Sequence, residues 1–326
     1  MDTTDELADL LPTAPQARGL PHQAAHRARL LAAIAAEPQP ARPALRRAGR
    51  GWLPPRRWLV PAAAAIAVLA IAFGIALPQL AGGTAAPRPA RSSVLRSVPT
   101  QPGTRTWQVP LAGVHSVVMS TDSGSVSVSG AASTATAPVT ARYSWRQNQQ
   151  PPVISGEVVH GTLSILAKCP TSSPHCLVSL AITIPSGMPV YARTNLGDVQ
   201  VTGMSGSVHV ADQLGTVDLR DLSGAVNVKD NLGDIDGTGL ASARATMTAS
   251  LGDIDVSFSS APTFISASDR EGDVTIRVPG TTSYRVSASA QLGAATVQVP
   301  RAAKAAHVIR ADSQLGSVTI LTGGPA

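Results

Sequence analysis

The sequence predicts an all-β domain, a β-solenoid (β-helix) of stacked two-strand repeats, carried behind one N-terminal transmembrane helix. Three observations predict it. Glycines recur at Gly197, Gly206, Gly215, Gly224 and Gly233, nine residues apart each time. Apolar residues follow each of the first four by two and four places: Val199 and Val201, Val208 and Val210, Val217 and Leu219, Val226 and Val228. Residues 58–77 carry no charge at all. Period-two alternation marks strands with one buried face, and glycine supplies the backbone angles of the turn before each strand.

The first element is a tail over residues 1–57. It holds nine Arg and five acids, a net +4, whereas residues 81–326 hold seventeen Lys and Arg against fifteen acids. Most of the formal +6 therefore sits before the apolar segment. Thr3 to Glu6 has the spacing of a helix capping box, ahead of Leu7, Leu10 and Leu11. A second helical stretch near residues 22–36 clusters Leu30, Leu31 and Ile34. His22 and His26 share a helix face there without a third metal ligand near them, so solvated histidines are the simpler reading. Pro38, Pro40 and Pro43 then end helicity. The arginines crowd toward the apolar segment and are not interleaved with aromatics, so nucleic acid is not an expected partner.

Residues 58–80 are expected to cross the lipid bilayer. Twenty uncharged residues span the ~30 Å hydrocarbon layer as a helix, Pro61 is tolerated in the first turn, and Pro78 stops it. A 57-residue lead is too long for the charged region of a signal peptide. Arg42, Arg46, Arg47, Arg50, Arg56 and Arg57 precede the segment, while Arg88, Arg91 and Arg96 follow it. Positive-inside bias makes the N-terminus cytoplasmic and the C-terminal domain extracytoplasmic. Residues 81–109, rich in Pro, Gly, Ser, Thr and Arg, read as a flexible stalk.

The repeat domain is expected over residues 110–322. Leu196, Leu214 and Leu232 alternate with Ser205 and Ser223 before the glycines, so the full period is eighteen residues. The same element recurs as Leu251-Gly-Asp-Ile, Glu271-Gly-Asp-Val, Leu292-Gly-Ala-Ala and Leu315-Gly-Ser-Val, with partner strands at Thr263–Ala267, Ser283–Ser287 and Ala306–Arg310. One such unit cannot bury its own apolar stripe, and stacking supplies the core. An antiparallel sandwich is the structural alternative. Ser123-Gly-Ser-Val is an early copy within Val114–Gly130. Residues 131–190 break the period and read as an irregular insertion or cap, with strands near 137–145, 157–167 and 177–184. Cys169 and Cys176 are expected to pair in an oxidising compartment, a short closure that contributes about 2.5 kcal/mol in the chain-entropy treatment.

Ile182-Thr-Ile-Pro-Ser-Gly187, followed by Val190, Leu196-Gly-Asp-Val-Gln-Val and successive Ser-Gly-x-Val-x-Val units, resembles the bacterial putative-adhesin family of β-strand-repeat domains. The resemblance covers roughly residues 110–322. It implies the repeat fold, is nearly silent on activity, and brings no catalytic positions. The tail and apolar segment also resemble membrane-anchored regulatory proteins of actinobacteria in composition.

No nucleophile elbow, P-loop, HExxH or paired CxxC motif occurs. His115, His160, His175, His209 and His307 are scattered, so no catalytic residue is assigned and the chain is not expected to be an enzyme. One acidic constellation stands out. If positions one and three after each glycine face outward, Asp218, Asp234, Asp236, Asp253, Asp255 and Asp273 line up on adjacent coils, ~4.8 Å apart. Such carboxylates repel and call for counter-charge. Solvent screening, a cationic partner and Ca²⁺ held by Asp234, Asp236, Asp253 and Asp255 are the three readings. No other cofactor is expected. Three functions follow: an anchored envelope protein that binds a surface polymer or protein or serves as a spacer; a transmembrane signalling protein whose tail holds a cytoplasmic regulator; and, third, a solenoid carbohydrate-active enzyme.

Overall fold

The computed structural model describes residues 92–323 apart from Gln147 and Pro174. The expected tail, the transmembrane segment 58–80 and residues 81–91 of the stalk lie outside the described residues. Among the described residues no helix is long and apolar enough to cross a membrane.

Residues 92–110 are not stalk but two strands, β1 (Ser92–Ser97) and β2 (Gly103–Pro110). Their apolar residues are few, yet Leu95 and Val109 are buried, and the partners that bury them lie far along the chain. Next come β3 (Ser116–Thr121), β4 (Val126–Ala131), β5 (Thr136–Ser144), β6 (Val153–Val159), β7 (Thr162–Lys168) and β8 (Leu177–Pro185). The single strand expected over 157–167 is broken by a tight hairpin, because His160 and Gly161 both adopt positive φ (50° and 74°).

The regular coils follow: β9 (Val190–Thr194) with β10 (Val199–Thr202), β11 (Val208–Ala211) with β12 (Val217–Arg220), β13 (Val226–Lys229) with β14 (Ile235–Leu240), and β15 (Arg244–Thr248) with β16 (Ile254–Phe258). The last six strands are β17 (Phe264–Glu271), β18 (Val274–Val278), β19 (Tyr284–Leu292), β20 (Ala295–Gln298), β21 (His307–Leu315) and β22 (Val318–Thr322).

These strands form two eleven-stranded sheets. The first runs β1-β6-β7-β3-β9-β11-β13-β15-β17-β21-β19, and the second β2-β5-β8-β4-β10-β12-β14-β16-β18-β22-β20. Consecutive strands of the regular coils alternate between sheets, and in stacking order every pairing from β7 and β8 through β3 and β4 to the far end is parallel. This is a solenoid and not an antiparallel sandwich. Antiparallel pairs occur only among β1, β2, β5, β6, β7 and β8, which build the N-terminal end.

Chain order and stacking order differ at both ends. The β3–β4 coil lies between the β7–β8 coil and the β9–β10 coil. At the other end β21 and β22 insert between β17–β18 and β19–β20. The final segment of chain thus holds the preceding coil in place through hydrogen bonds on both sheets.

The core is a set of straight apolar rows. Val117, Val190, Val208, Val226, Ala245 and Ile265 are register partners in the first sheet, all buried. Val126, Val199, Val217, Ile235, Ile254 and Val274 do the same in the second. Small branched side chains suit this geometry, because each must fit within one strand spacing of its copies above and below.

One corner of each coil is a ladder of glycines. A Cβ on Gly233 would lie 1.5 Å from the carbonyl oxygen of Gly215, one on Gly215 2.1 Å from that of Gly197, and one on Gly252 1.9 Å from that of Gly233. Gly233 also has φ 153°. No side chain fits there. Gly187 is also in a turn, but its nearest neighbour to an added Cβ is the Ser205 hydroxyl at 3.9 Å. Gly233→Ala should therefore destabilise by about 3 kcal/mol or more, whereas Gly187→Ala should stay within about 0.5 kcal/mol. Thermal melts of the two variants check this; equal losses would remove the ladder as the organising contact.

Candidate binding surface

The acidic residues singled out from the glycine spacing are neighbours, but they divide into two groups. Asp218, Asp236 and Asp255 are direct register partners on the outer face of the second sheet. Asp234 and Asp253 sit at the corner, where each accepts the backbone N–H of the next coil: Asp253 N donates to Asp234 Oδ1 at 2.8 Å, and Asp273 N to Asp253 Oδ1 at 2.8 Å. Asp198 and Asp273 do the same for Thr216 N (3.0 Å) and Ser317 N (2.7 Å). These carboxylates tie coils together, a role the residue spacing alone does not reveal. In the outer row Arg220 pairs with Asp218 at 2.5 Å, and Arg277 pairs with Asp255. Asp236 lies between them without a cation. Burial first, then Asp234, Asp255, Asp218 and Asp253, pushes its pKa up to about 6. Among the described residues no group of three or more His, Cys, Asp or Glu side chains is set to hold a metal ion.

A second acidic set was missed by the alternation rule. Three residues before each corner glycine, the side chain turns into the corner. Thr121 donates there to the Val178 carbonyl at 3.0 Å, Thr194 to the Gly124 carbonyl at 3.1 Å and Ser313 to the Gly272 carbonyl at 2.8 Å. Asp212, Asp230 and Asp269 occupy the equivalent place and are buried (4%, 2% and 2% exposed). An ionised carboxylate has no proton to offer a carbonyl. No side chain donates to either oxygen of Asp230 and Asp269 or to Oδ2 of Asp212, and the neighbouring backbone N–H groups offset burial only in part. Burial raises Asp212 and Asp269 to about 6; burial and then the charge of Asp212 on the adjacent coil raise Asp230 to about 7. The sequence signal was available: Asp stands where other coils carry Thr or Ser.

The histidines are dispersed. His307 Nδ1 lies 2.7 Å from the Pro262 carbonyl, His160 makes the hairpin turn, and His209 stacks on Tyr191. His22 and His26 lie outside the described residues. Cys169 and Cys176 are joined as a disulfide between β7 and β8, with Cα atoms 5.7 Å apart.

The two outer faces carry different charge. On the first sheet the exposed strand positions hold Arg96, Lys168, Arg193, Lys229, Arg244, Arg270, Arg285 and Arg310, against Glu157, Glu271 and Asp312. On the second sheet Arg105, Arg142, Arg220 and Arg277 stand against Asp218, Asp236 and Asp255. Strand register arranges the first face in rows. One row runs Tyr191, His209, Asn227, Thr246, Ser266 and Arg310. The adjacent row runs Arg193, Ala211, Lys229, Thr248, Ser268 and Asp312. Tyr191 is 46% exposed, and its ring stacks on His209 with centroids 4.6 Å apart and planes 9° from parallel. Arg310 lies over Phe264, 5.7 Å from the ring centroid.

The sequence profile described as Toastrack DUF4097 matches residues 108–316, more than half of the chain. The chain belongs to this family. Its similarity to solved structures is distant. A putative cell adhesion protein from Clostridium sporogenes is 14% identical, with 68% of this chain and 100% of that chain covered and a TM-score of 0.34. A putative adhesin from Parabacteroides merdae is 12% identical over 68% and 96% of the two chains, with a TM-score of 0.37. A putative lipid binding protein from Parabacteroides distasonis is 11% identical over 68% and 95%, with a TM-score of 0.20. At such scores the likeness says nothing about ligands. No curated protein matches the chain.

The buried corner carboxyls give this Toastrack domain a definite pH dependence. Their folded pKa values lie above the ordinary 3.8. The folded state therefore holds protons that the unfolded chain releases, and this stabilisation is full below about pH 4 and lost as pH rises through about 6 to 7. The melting temperature should be several degrees higher at about pH 5 than at about pH 8, at about 2–4 °C per kcal/mol. Asp230→Thr, which restores the hydroxyl found at Thr194, should raise the melting temperature at about pH 8 and flatten the profile. A wild-type profile that is flat or rises toward pH 8 would show these carboxyls to be ionised in the folded protein.

Proposed function

We propose that this chain is a non-enzymatic binding module of the cell envelope, held at the membrane by residues 58–80 with residues 1–57 in the cytoplasm. The ligand surface is the outer face of the first sheet. The observation that carries this reading is the charge asymmetry between two faces built by the same repeat. Stability asks only that outward positions be polar, and the second sheet meets that need with four cations and three acids. On the first sheet eight cations stand against three acids, and among the described residues none of those cations forms an ion pair. Its rigid, flat, hydroxyl-rich rows suit an extended ligand better than a small one. The uncharged segment and the arginines before it support the anchor, since no other feature of the sequence calls for either.

Two measurements test the parts separately. Ser92→Cys, at an exposed position on β1, should react with a membrane-impermeant thiol reagent on intact cells, whereas Ala14→Cys should react only after permeabilisation. The opposite pattern would invert the topology. Full-length protein in neutral detergent should sediment with envelope fragments. Arg193→Glu with Lys229→Glu should weaken that association at least about tenfold, and Arg142→Glu on the other face should leave it unchanged. Equal effects from both faces would remove the first sheet as the ligand surface.

A further inference from the structure

The cationic face has a finer pattern that names a ligand class, given the binding-module reading above. Along the stack axis the rows repeat every ~4.8 Å, the strand spacing. Arg193 and Lys229 occupy the same row on coils two apart, with Ala211 between them. Their attachment points are thus ~9.6 Å apart, a length close to that of an extended disaccharide. Ala211 is exposed and small, which leaves a shallow notch between the two cations.

Beside that notch, Tyr191, His209 and Asn227 stand at the same coils in the adjacent row. The Tyr191 and His209 rings stack with planes 9° from parallel, and side chains of a strand stand roughly perpendicular to its sheet, an arrangement that offers their polar groups to a ligand. Phenol hydroxyl, imidazole and carboxamide each donate and accept hydrogen bonds. Beyond Asn227 the row continues with the hydroxyls of Thr246 and Ser266. A comb of neutral donors and acceptors next to widely spaced cations fits a polymer with many hydroxyls and a regular negative charge. A lipid surface calls for apolar anchors at the interface, and these rows expose no large aliphatic side chain. A nucleic acid would call for open ring faces on which bases stack, whereas one face of the Tyr191 ring is covered by His209.

We propose that the outer face of the first sheet binds a linear anionic polysaccharide that lies along the stack axis, with its sugar hydroxyls over Tyr191, His209 and Asn227 and its acidic groups on Arg193 and Lys229. The arginine fork suits a carboxylate and Lys229 suits any anion. Binding weakens with salt, as ion pairing on an exposed face does, and retains a part that salt does not remove.

Calorimetry on the full-length protein in neutral detergent tests this with polygalacturonate, neutral dextran, phosphatidylglycerol vesicles and single-stranded DNA. Polygalacturonate should bind and dextran should not. Arg193→Ala and Lys229→Ala should each weaken binding about tenfold. Asn227→Ala should weaken it severalfold without changing the slope against salt, which separates hydrogen bonding from charge; a melting curve for each variant confirms that the fold is intact. Vesicles or DNA binding as tightly as polygalacturonate, or an Asn227→Ala affinity equal to wild type, would overturn the polysaccharide assignment. Envelope fragments bound through Arg193 and Lys229 with no affinity for polygalacturonate would overturn the ligand class and leave the binding-module reading standing. Failure to bind both would bring down the two together.

Discussion

The rest of the structure depends on a single contact: backbone against backbone at the glycine corner. Parallel coils in register bring each corner to within one strand spacing of the next. There the carbonyl of Gly215 occupies the space that a Cβ on Gly233 would need, and the same holds along the ladder from Gly124 to Gly272. With no side chain between them, the coils close to hydrogen-bonding distance on both sheets. The inward valines and isoleucines then stack as straight rows with little choice of shape. The repeat follows from this contact, since every coil, whether of eighteen residues or of nineteen and twenty as at Gly252 and Gly272, must return its glycine to the same place.

Close approach at the corner has an electrostatic consequence. Removing side chains leaves buried carbonyls facing the residue three before each glycine. Thr194 and Ser313 answer them with hydroxyls. Asp212, Asp230 and Asp269 put carboxyl groups into the same space, where burial holds them protonated well above the ordinary carboxylate range. Asp198, Asp234, Asp253 and Asp273, one place after each glycine, are exposed or half-buried and accept backbone amides of the next coil instead. The same residue type thus does opposite work on the two sides of one glycine, separated by burial alone.

Outward positions are free of these demands, and there the two sheets diverge. The second face neutralises its acids locally through Arg220 and Arg277. The first accumulates cations beside a stacked Tyr191–His209 pair and a run of hydroxyls. A repeat with fixed inward residues offers its outer rows as independent variables, and cations outnumber acids far more on the first sheet than on the second.

Glycine spacing and period-two alternation by themselves determined the solenoid, the inward register of Val199, Val217 and Val226, and the adjacency of Asp236 and Asp255. Those features are local: each depends on residues within one coil and on its copies eighteen or nineteen places away. The pairing of Cys169 with Cys176 was expected on a different ground: they are the two cysteines of the chain, seven residues apart, in a domain read as exported to an oxidising compartment. Only the tertiary structure decided the place of β1 and β2, since their few apolar residues gain burial from strands far along the chain. It alone showed β21–β22 inserted before β19–β20, because both coils carry the same pattern and nothing local ranks identical patterns in space. Burial of Asp212, Asp230 and Asp269 was also beyond reach, since alternation assigns faces to strands and not to corners. The cationic rows of the first face emerged last. Arg193 and Lys229 are thirty-six residues apart in sequence, and parallel register two coils deep is what makes them neighbours.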